Sequence, residues 1–210
     1  MKAHAGSVYS VAFSPDGRLL AAGSANGTVV LWDVRSHSRL ETLNAHAGAI
    51  SSVAFSPRGI LAAADIDGTV VLWDVHTRRA LGTPLNSHTG LLNSVAFSPG
   101  GRILAAGSGD HAILTLWNVQ RHSQIRKLSA GGAGPINSVS FSPRGRTIAA
   151  GNGDGTVQLW KLQNHPTRST LNARTGQVFG VAFSPDGHFL AAGGFNATTR
   201  VWKRDALWRN

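Results

Sequence analysis

The chain contains no cysteine, few acidic residues and no long apolar run. Without cysteine, neither a disulfide framework nor a thiolate metal site can form, which fits a reducing compartment. The opening "MKAHAGSVYS" lacks the apolar core of a signal peptide, and no stretch approaches the roughly 18 consecutive apolar residues of a membrane-spanning helix. We therefore expect a soluble, cytoplasmic protein.

The amino-acid composition indicates a globular chain with many tight turns and an excess of positive charge. Of 210 residues, 42% are hydrophobic and 25 are glycine, and the formal net charge is +10. Such a charge raises the possibility of an acidic partner or nucleic acid. Sixteen arginines against four lysines favour a GC-rich, bacterial gene.

One unit of about 42 residues is written five times along the chain. "SVAFSPDG" at 10–17 returns with small changes at 52–59, 94–101, 138–145 and 180–187. The copies run roughly over 4–45, 46–87, 88–130, 131–173 and 174–210, so we expect residues 1–210 to form a single domain without a linker.

Within each copy the pattern is that of short strands joined by turns. "VYSVAFS" is a β-branched and aromatic run that stops at a Ser-Pro-Asp-Gly turn, and "RLLAAGS" then leads to the hairpin signal Asn26-Gly27. "TVVLWDV" forms a third strand and "RLETLNA" a fourth. No segment with helical periodicity competes, so we predict an all-β protein with four antiparallel strands per copy, the composition of a propeller blade.

The period, a His-x-Gly before the first strand and a Trp-Asp at the end of the third resemble the WD40-repeat β-propellers, over residues 4 to 204. The resemblance implies five four-stranded blades around a central channel. The segment that opens each copy would be the innermost strand of its blade, and the leucine-rich segment would be the outermost.

A histidine, a hydroxyl, a turn acid and a tryptophan recur together, and such a set could be mistaken for a hydrolase site. An enzyme needs one set of catalytic residues in one active site, whereas these sets appear once per copy. The resemblance implies buried structural tetrads instead, in which the turn acid accepts from the histidine and the hydroxyl meets the indole N–H. The residues are His4, Ser24, Asn26 and Trp32; His46, Asp67 and Trp73; His88, Ser108, Asp110 and Trp117; and Asp154 with Trp160.

The last two copies depart from this pattern, and no other chemistry stands out. Gly132 and Arg174 occupy the histidine positions of copies 4 and 5, so we expect weaker bracing there. Asp65 and Asp67 are a close carboxylate pair, but Asp67 is the turn residue and Asp65 falls where other copies carry Ser24 or Ser108. The nine histidines lack metal-site spacing, and no glycine loop opens a helix. We therefore predict no enzymatic activity, no metal site and no cofactor.

Partner binding is expected where the copies differ from one another. In the family, side chains around the channel rim on the top face vary from blade to blade. The corresponding positions here are Tyr9, Ser51, Leu91, Asn93, Asn137 and Phe179 on inner strands, with Ile66 and Phe195 in turns. Exposed aromatic patches often mark protein-binding surfaces. The alternative is that several of these side chains are partly buried between blades.

The positive charge maps to the opposite, bottom face. Thirteen of the twenty basic residues follow the Ser-Pro turns or lie near the third-to-fourth strand connections. This face could bind nucleic acid, another polyanion or an acidic protein. Aromatic platforms are not interleaved with the arginines, as a single-strand binder needs, so a solvated face is favoured.

Copy 5 lacks an outer-strand segment, and only three residues precede His4 to supply one, which gives 19 strands rather than 20. The segment "TTRVWK" is then an unpaired edge. Three arrangements are open: a five-bladed ring, an arc that needs further blades, and self-association of two chains through the blade 5 edge. The ring is favoured. The expected function is a non-catalytic protein-interaction scaffold, alone or within a bacterial signalling protein.

Overall fold

The computed structural model describes residues 6–44, 48–132, 134–163 and 166–203, and within these ranges every regular element is a β-strand. No helix suited to crossing a bilayer occurs among these residues. The strands form five antiparallel sheets that follow one another along the chain, one for each copy. The all-β prediction is confirmed.

Four sheets have a complete set of strands. Sheet 1 contains β1 (Val8–Phe13), β2 (Leu19–Ser24), β3 (Thr28–Asp33) and β4 (Ser38–Asn44). Sheet 2 contains β5 (Ile50–Phe55), β6 (Ile60–Asp65), β7 (Thr69–Asp74), β8 (Arg79–Ala80) and β9 (Leu85–Asn86). Sheet 3 contains β10 (Leu92–Phe97), β11 (Ile103–Ser108), β12 (Ile113–Asn118) and β13 (Ser123–Ser129). Sheet 4 contains β14 (Ile136–Phe141), β15 (Thr147–Asn152), β16 (Thr156–Lys161) and β17 (Thr167–Asn172).

Sheet 5 has three strands in the described part of the chain, which are β18 (Val178–Phe183), β19 (Phe189–Gly194) and β20 (Thr199–Lys203). The outer strand of sheet 2 is divided, since β8 and β9 both pair with β7 on the same side. Gly82, at φ 62°, and Pro84 lie between the two pieces and interrupt the ladder. The described residues therefore form twenty strand segments where the sequence predicts 19 strands.

Each pair of consecutive sheets shares one apolar core. Between sheets 1 and 2, Leu31 and Leu43 of the first sheet pack against Ile50, Val53 and Trp73 of the second. The same arrangement recurs at the next three junctions. We call the side of a sheet that packs on the preceding sheet its incoming face, and the other side its outgoing face.

Hydrogen bonds also join the inner strands of neighbouring sheets. At each junction a serine hydroxyl on one inner strand accepts a bond of 3.0–3.1 Å from a valine amide on the next. The pairs are Ser10 with Val53, Ser52 with Val95, Ser94 with Val139, and Ser138 with Val181. Because these amides point away from their own sheets, the serines satisfy groups that the ladders leave free.

The first and last sheets do not pack together as neighbouring sheets do. On the incoming face of sheet 1, Val11 and Phe13 are 60% and 62% exposed, whereas Val53, at the place of Val11 in sheet 2, is 5% exposed. The described residues thus form an open series of sheets, and the favoured closed five-bladed ring is not what this structure shows.

Candidate protein-interaction surface

The start of each inner strand and the turn between the second and third strands lie at the same end of every sheet. Backbone bonds hold them together: the Ile66 amide donates to the Ala49 carbonyl at 3.1 Å, and the Phe195 amide to the Gln177 carbonyl at 2.9 Å. We call this end of the sheets the top surface. The Ser-Pro turns lie at the other end, which we call the bottom surface.

Four of the predicted partner-binding residues are exposed on the top surface, namely Tyr9, Ile66, Phe179 and Phe195. Phe179 and Phe195 lie together on sheet 5, with ring centroids 6.3 Å apart and an interplanar angle of 66°, and are 54% and 73% exposed. This edge-to-face contact is a favoured geometry for an aromatic pair. It holds a large apolar surface open to solvent.

The other four predicted positions are partly buried. The Asn137 amide nitrogen donates to the Val178 carbonyl at 2.9 Å, and the Asn93 amide nitrogen to the Ile136 carbonyl at 3.3 Å. The Ser51 hydroxyl donates to the Ala64 carbonyl at 3.1 Å. The two asparagines connect consecutive inner strands, and Leu91 is half-buried as well. These three residues match the alternative prediction, in which several of the positions are partly buried between blades.

The tryptophans of copies 1 to 4, Trp32, Trp73, Trp117 and Trp160, are buried, but the turn acids are not. Asn26, Asp67, Asp110 and Asp154 are exposed, and so is His88. His4 and His46 lie outside the described residues. The bracing role of the sets that contain His4 and His46 therefore stays a prediction.

In copy 3 the polar groups of the set bond to the backbone. The Ser108 hydroxyl donates to the Thr89 carbonyl at 2.7 Å, and Asp110 accepts from the Leu91 amide at 3.0 Å. The amide of His88 donates to the Asn86 side chain at 2.7 Å. These bonds fix the approach to the inner strand β10.

The turns of copies 1 and 4 are held by short local bonds. The buried Ser24 hydroxyl donates to the Asn26 side-chain oxygen, which also accepts from the Thr28 hydroxyl at 2.7 Å. Asp154 accepts from the amide and hydroxyl of Thr156 at 2.9 and 2.6 Å. In both copies the polar side chain closes the hairpin turn that precedes the third strand.

In copy 2 the buried carboxylate is Asp65 rather than Asp67. Asp65 is 2% exposed and accepts bonds from the Asp67 amide at 3.0 Å, the Thr69 amide at 2.8 Å and the Thr69 hydroxyl at 2.6 Å. A buried carboxylate needs such donors to remain charged. Asp65 thus fixes the hairpin between β6 and β7, as Ser24 does in copy 1.

Carboxylates of the bottom turns have lowered pKa values. A hydrogen bond from the Ser14 hydroxyl, at 2.6 Å, is the main cause of the low pKa of Asp16, and the Arg18 amide, at 3.1 Å, adds to it. Ser184 and the His188 amide lower the pKa of Asp186 in the same way. These donors stabilise the charged carboxylate. Their role is to shape the turns.

The arginines that follow the Ser-Pro turns are exposed on the bottom surface; they are Arg18, Arg58, Arg102, Arg144 and Arg146. A groove between sheets 2 and 3 is lined by Arg58 and Arg102 together with Asn118 and Gln120. No carboxylate of the described residues lines it. In the groove between sheets 1 and 2, by contrast, Asp16 and Asp33 accompany Arg18 and Arg78.

The exposed apolar end faces of the series were missed at the sequence level. On sheet 1, Val11 of "VYSVAF" is 60% exposed, whereas the valine at the same place in the other four sheets is buried. On sheet 5, Phe189 and Val201 are 39% and 57% exposed, whereas the equivalents of Phe189 in other sheets are partly buried and those of Val201 are buried.

Comparison with known proteins finds one match for each of the five repeats. The family model described as "WD domain, G-beta repeat" matches residues 1–33, 37–74, 79–117, 122–161 and 166–203. A 42-residue stretch is 50% identical to Protein Mut11 of Chlamydomonas reinhardtii, which covers 20% of this chain and 11% of that relative. With five matched repeats, the chain belongs to the WD40 repeat family.

Proposed function

We propose that the chain is a non-catalytic protein-interaction scaffold that binds its partner through the top surface of sheet 5. Repeats of this family generally mediate protein–protein interaction. The observation that carries the proposal is the exposed pair of Phe179 and Phe195. Aromatic side chains contribute a large share of the binding energy at interfaces because they bury much apolar area with few rotatable bonds.

The neighbourhood of the pair fits a protein partner. Gln177, which precedes β18 and accepts from the Phe195 amide, is exposed beside the rings and offers an amide to a partner backbone. On sheet 1, which does not pack on sheet 5, Tyr9 is 60% exposed at the top surface as well. An apolar centre with polar groups at its margin is the usual composition of a protein interface.

The test is affinity capture from the native host with the wild-type chain and with the double variant Phe179→Ala/Phe195→Ala. We expect the double variant to lose the partner, with an affinity reduced by at least about 30-fold for two interface aromatics. Ile125→Ala is the matched control, because Ile125 is 48% exposed on the outer strand β13. Retention of every captured protein by the folded double variant would contradict the proposal.

A second candidate function is binding of a polyanion at the bottom surface. The specific observation is the groove of Arg58 and Arg102, which combines two guanidinium groups with two amide side chains and no described carboxylate. One of these guanidinium groups is already oriented, since Arg58 Nε donates to the Gly100 carbonyl at 2.7 Å. An arginine fork held in this way suits a phosphate or sulfate group.

A further inference from the structure

The two ends of the series expose faces that are covered at every internal junction. On sheet 1, Val8, Val11 and Phe13 are 45%, 60% and 62% exposed. Ile50 and Val53, at the places of Val8 and Val11 in sheet 2, are 0% and 5% exposed. The incoming face of sheet 1 therefore has the composition of a buried junction without the sheet that would bury it.

A steric rule governs which residues meet across the internal junctions. Where the inner strand supplies a β-branched residue, the facing position of the preceding sheet is glycine. The pairs are Ile50 with Gly23, Ile136 with Gly107 and Val178 with Gly151. A Cβ at Gly23 would lie 2.5 Å from Ile50 Cγ2, so the absence of a side chain makes room for the branch. At the remaining junction Leu92 lies at the inner-strand position and Ala64 at the facing one.

The free ends obey the same rule. Gly193 of sheet 5 stands at the place of Gly23, Gly107 and Gly151, but a Cβ added there would find only Thr199 Oγ1, at 3.8 Å, among the described residues. The β-branched residue without a facing glycine is Val8 of sheet 1. Sheet 1 thus presents the β-branched side chain of Val8, and sheet 5 presents the open space beside Gly193 that would accommodate it.

We propose that two copies of this chain associate, with the incoming face of sheet 1 in one copy packed on the outgoing face of sheet 5 in the other. Val8 of the first copy occupies the space beside Gly193 of the second. Val11 and Phe13 cover Phe189 and Val201, which are 39% and 57% exposed. This inference is independent of the partner surface formed by Phe179 and Phe195.

A second copy is the occupant that the observations favour. Every internal junction joins an incoming face to an outgoing face of this same repeat, and each chain displays one of each. A head-to-tail contact of this kind closes a ring or extends, as the rotation between copies dictates. One internal bond is missing from the new junction, because Gly180 replaces the serine that would accept from the Val11 amide.

The test compares three variants of the full chain by light scattering and sedimentation. Wild type is expected to form species heavier than the 22.0 kDa single chain as concentration rises. Phe13→Lys on sheet 1 and Val201→Lys on sheet 5 should each remain a single chain. Ile125→Lys, at a position on β13 that is 48% exposed, should associate like the wild type. Far-UV circular dichroism and thermal melting check that each variant is folded, and Val11→Lys replaces Phe13→Lys if the latter is not.

Mixing the two lysine variants tests whether the association is head-to-tail. Phe13→Lys keeps an intact sheet 5 face and Val201→Lys keeps an intact sheet 1 face, so an equimolar mixture should form a one-to-one pair. A wild type that remains a single chain at every concentration would overturn the proposal. So would a mixture that fails to associate, or a loss of association in Ile125→Lys.

A further variant should strengthen the association instead of abolishing it, because it supplies the hydrogen bond that is missing at the new junction. Gly180→Ser restores the acceptor present in the other four sheets, and an added Cβ at Gly180 meets no atom of the described residues within 4 Å. We expect association about fivefold tighter, the effect of one added hydrogen bond. Unchanged or weaker association in a folded Gly180→Ser chain would count against this junction.

Discussion

The Ser14 hydroxyl and the Asp16 carboxylate illustrate how single residues shape this repeat. Ser14 accepts from the Leu19 amide at 2.8 Å and donates to Asp16, which in turn accepts from the Arg18 amide. One hydroxyl therefore connects the turn to the start of β2. Ser98 and Ser142 accept the equivalent amides in sheets 3 and 4, each at 3.1 Å.

Removal of that hydroxyl should raise the pKa of Asp16 toward its ordinary value. The folded-state pKa is lowered, so the stabilisation is present above the ordinary value of about 4 and is lost as the pH falls through the folded pKa. Carbon-detected NMR titration of the side-chain carboxyl measures both pKa values. We expect the wild type to titrate at the lower pH and Ser14→Ala at the higher one. Asp186, which lies in the equivalent turn of sheet 5, is the internal control, and a shift of both groups would indicate a global change.

At the scale of the element, the second strand carries a glycine because the next sheet approaches it. Alanine at Gly23 would place its Cβ 2.5 Å from Ile50 Cγ2 and 3.0 Å from Val53 Cγ1. Both side chains are buried in a shared core, which leaves them little room to move.

Gly23→Ala should therefore lower the free energy of unfolding by about 1–3 kcal/mol, the cost of overpacking a core. Gly193→Ala is the matched control, since the described residues leave its Cβ open space, and the stability of its single chain should hold. Denaturant unfolding at low protein concentration measures both. Combining Gly23→Ala with Ile50→Leu reproduces the Ala64–Leu92 pair of sheets 2 and 3 and should recover part of the loss. Equal effects of the two glycine substitutions would show that the next sheet is not the cause.

The strands could be predicted from the sequence because their signals are local. The Ser-Pro turns and Asn26-Gly27 mark where strands end, and the alternation between them marks what is buried. The division of β8 from β9 was missed, although Gly82 and Pro84 were visible in the sequence. For the candidate site, exposure of Phe179 and Phe195 followed from their turn and strand positions. The inter-sheet bonds of Asn93 and Asn137 could not be predicted, because they depend on the spacing between sheets.

At the scale of the molecule, the net charge is +10, and the exposed arginines that follow the Ser-Pro turns, Arg58 and Arg102 among them, lie on the bottom surface. Retention on heparin should therefore fall steeply with salt, and the double variant Arg58→Gln/Arg102→Gln should elute at lower salt than the wild type. Arg39→Gln/Arg79→Gln removes the same charge from outer-strand positions and is the control for net charge alone. Equal elution of the two double variants would assign retention to overall charge and remove the groove as a specific site.

The junctions between consecutive sheets also determine how local unfolding propagates through the molecule. Each sheet shares its apolar core only with the sheet before and the sheet after it, so the free energy of the series approximates a sum of nearest-neighbour terms. Sheet 3 is supported on both sides, whereas sheets 1 and 5 each have one supporting neighbour. In a single, unassociated chain we expect fraying to begin at the two terminal sheets and move inward, so that a destabilising change in one terminal sheet leaves the opposite end intact.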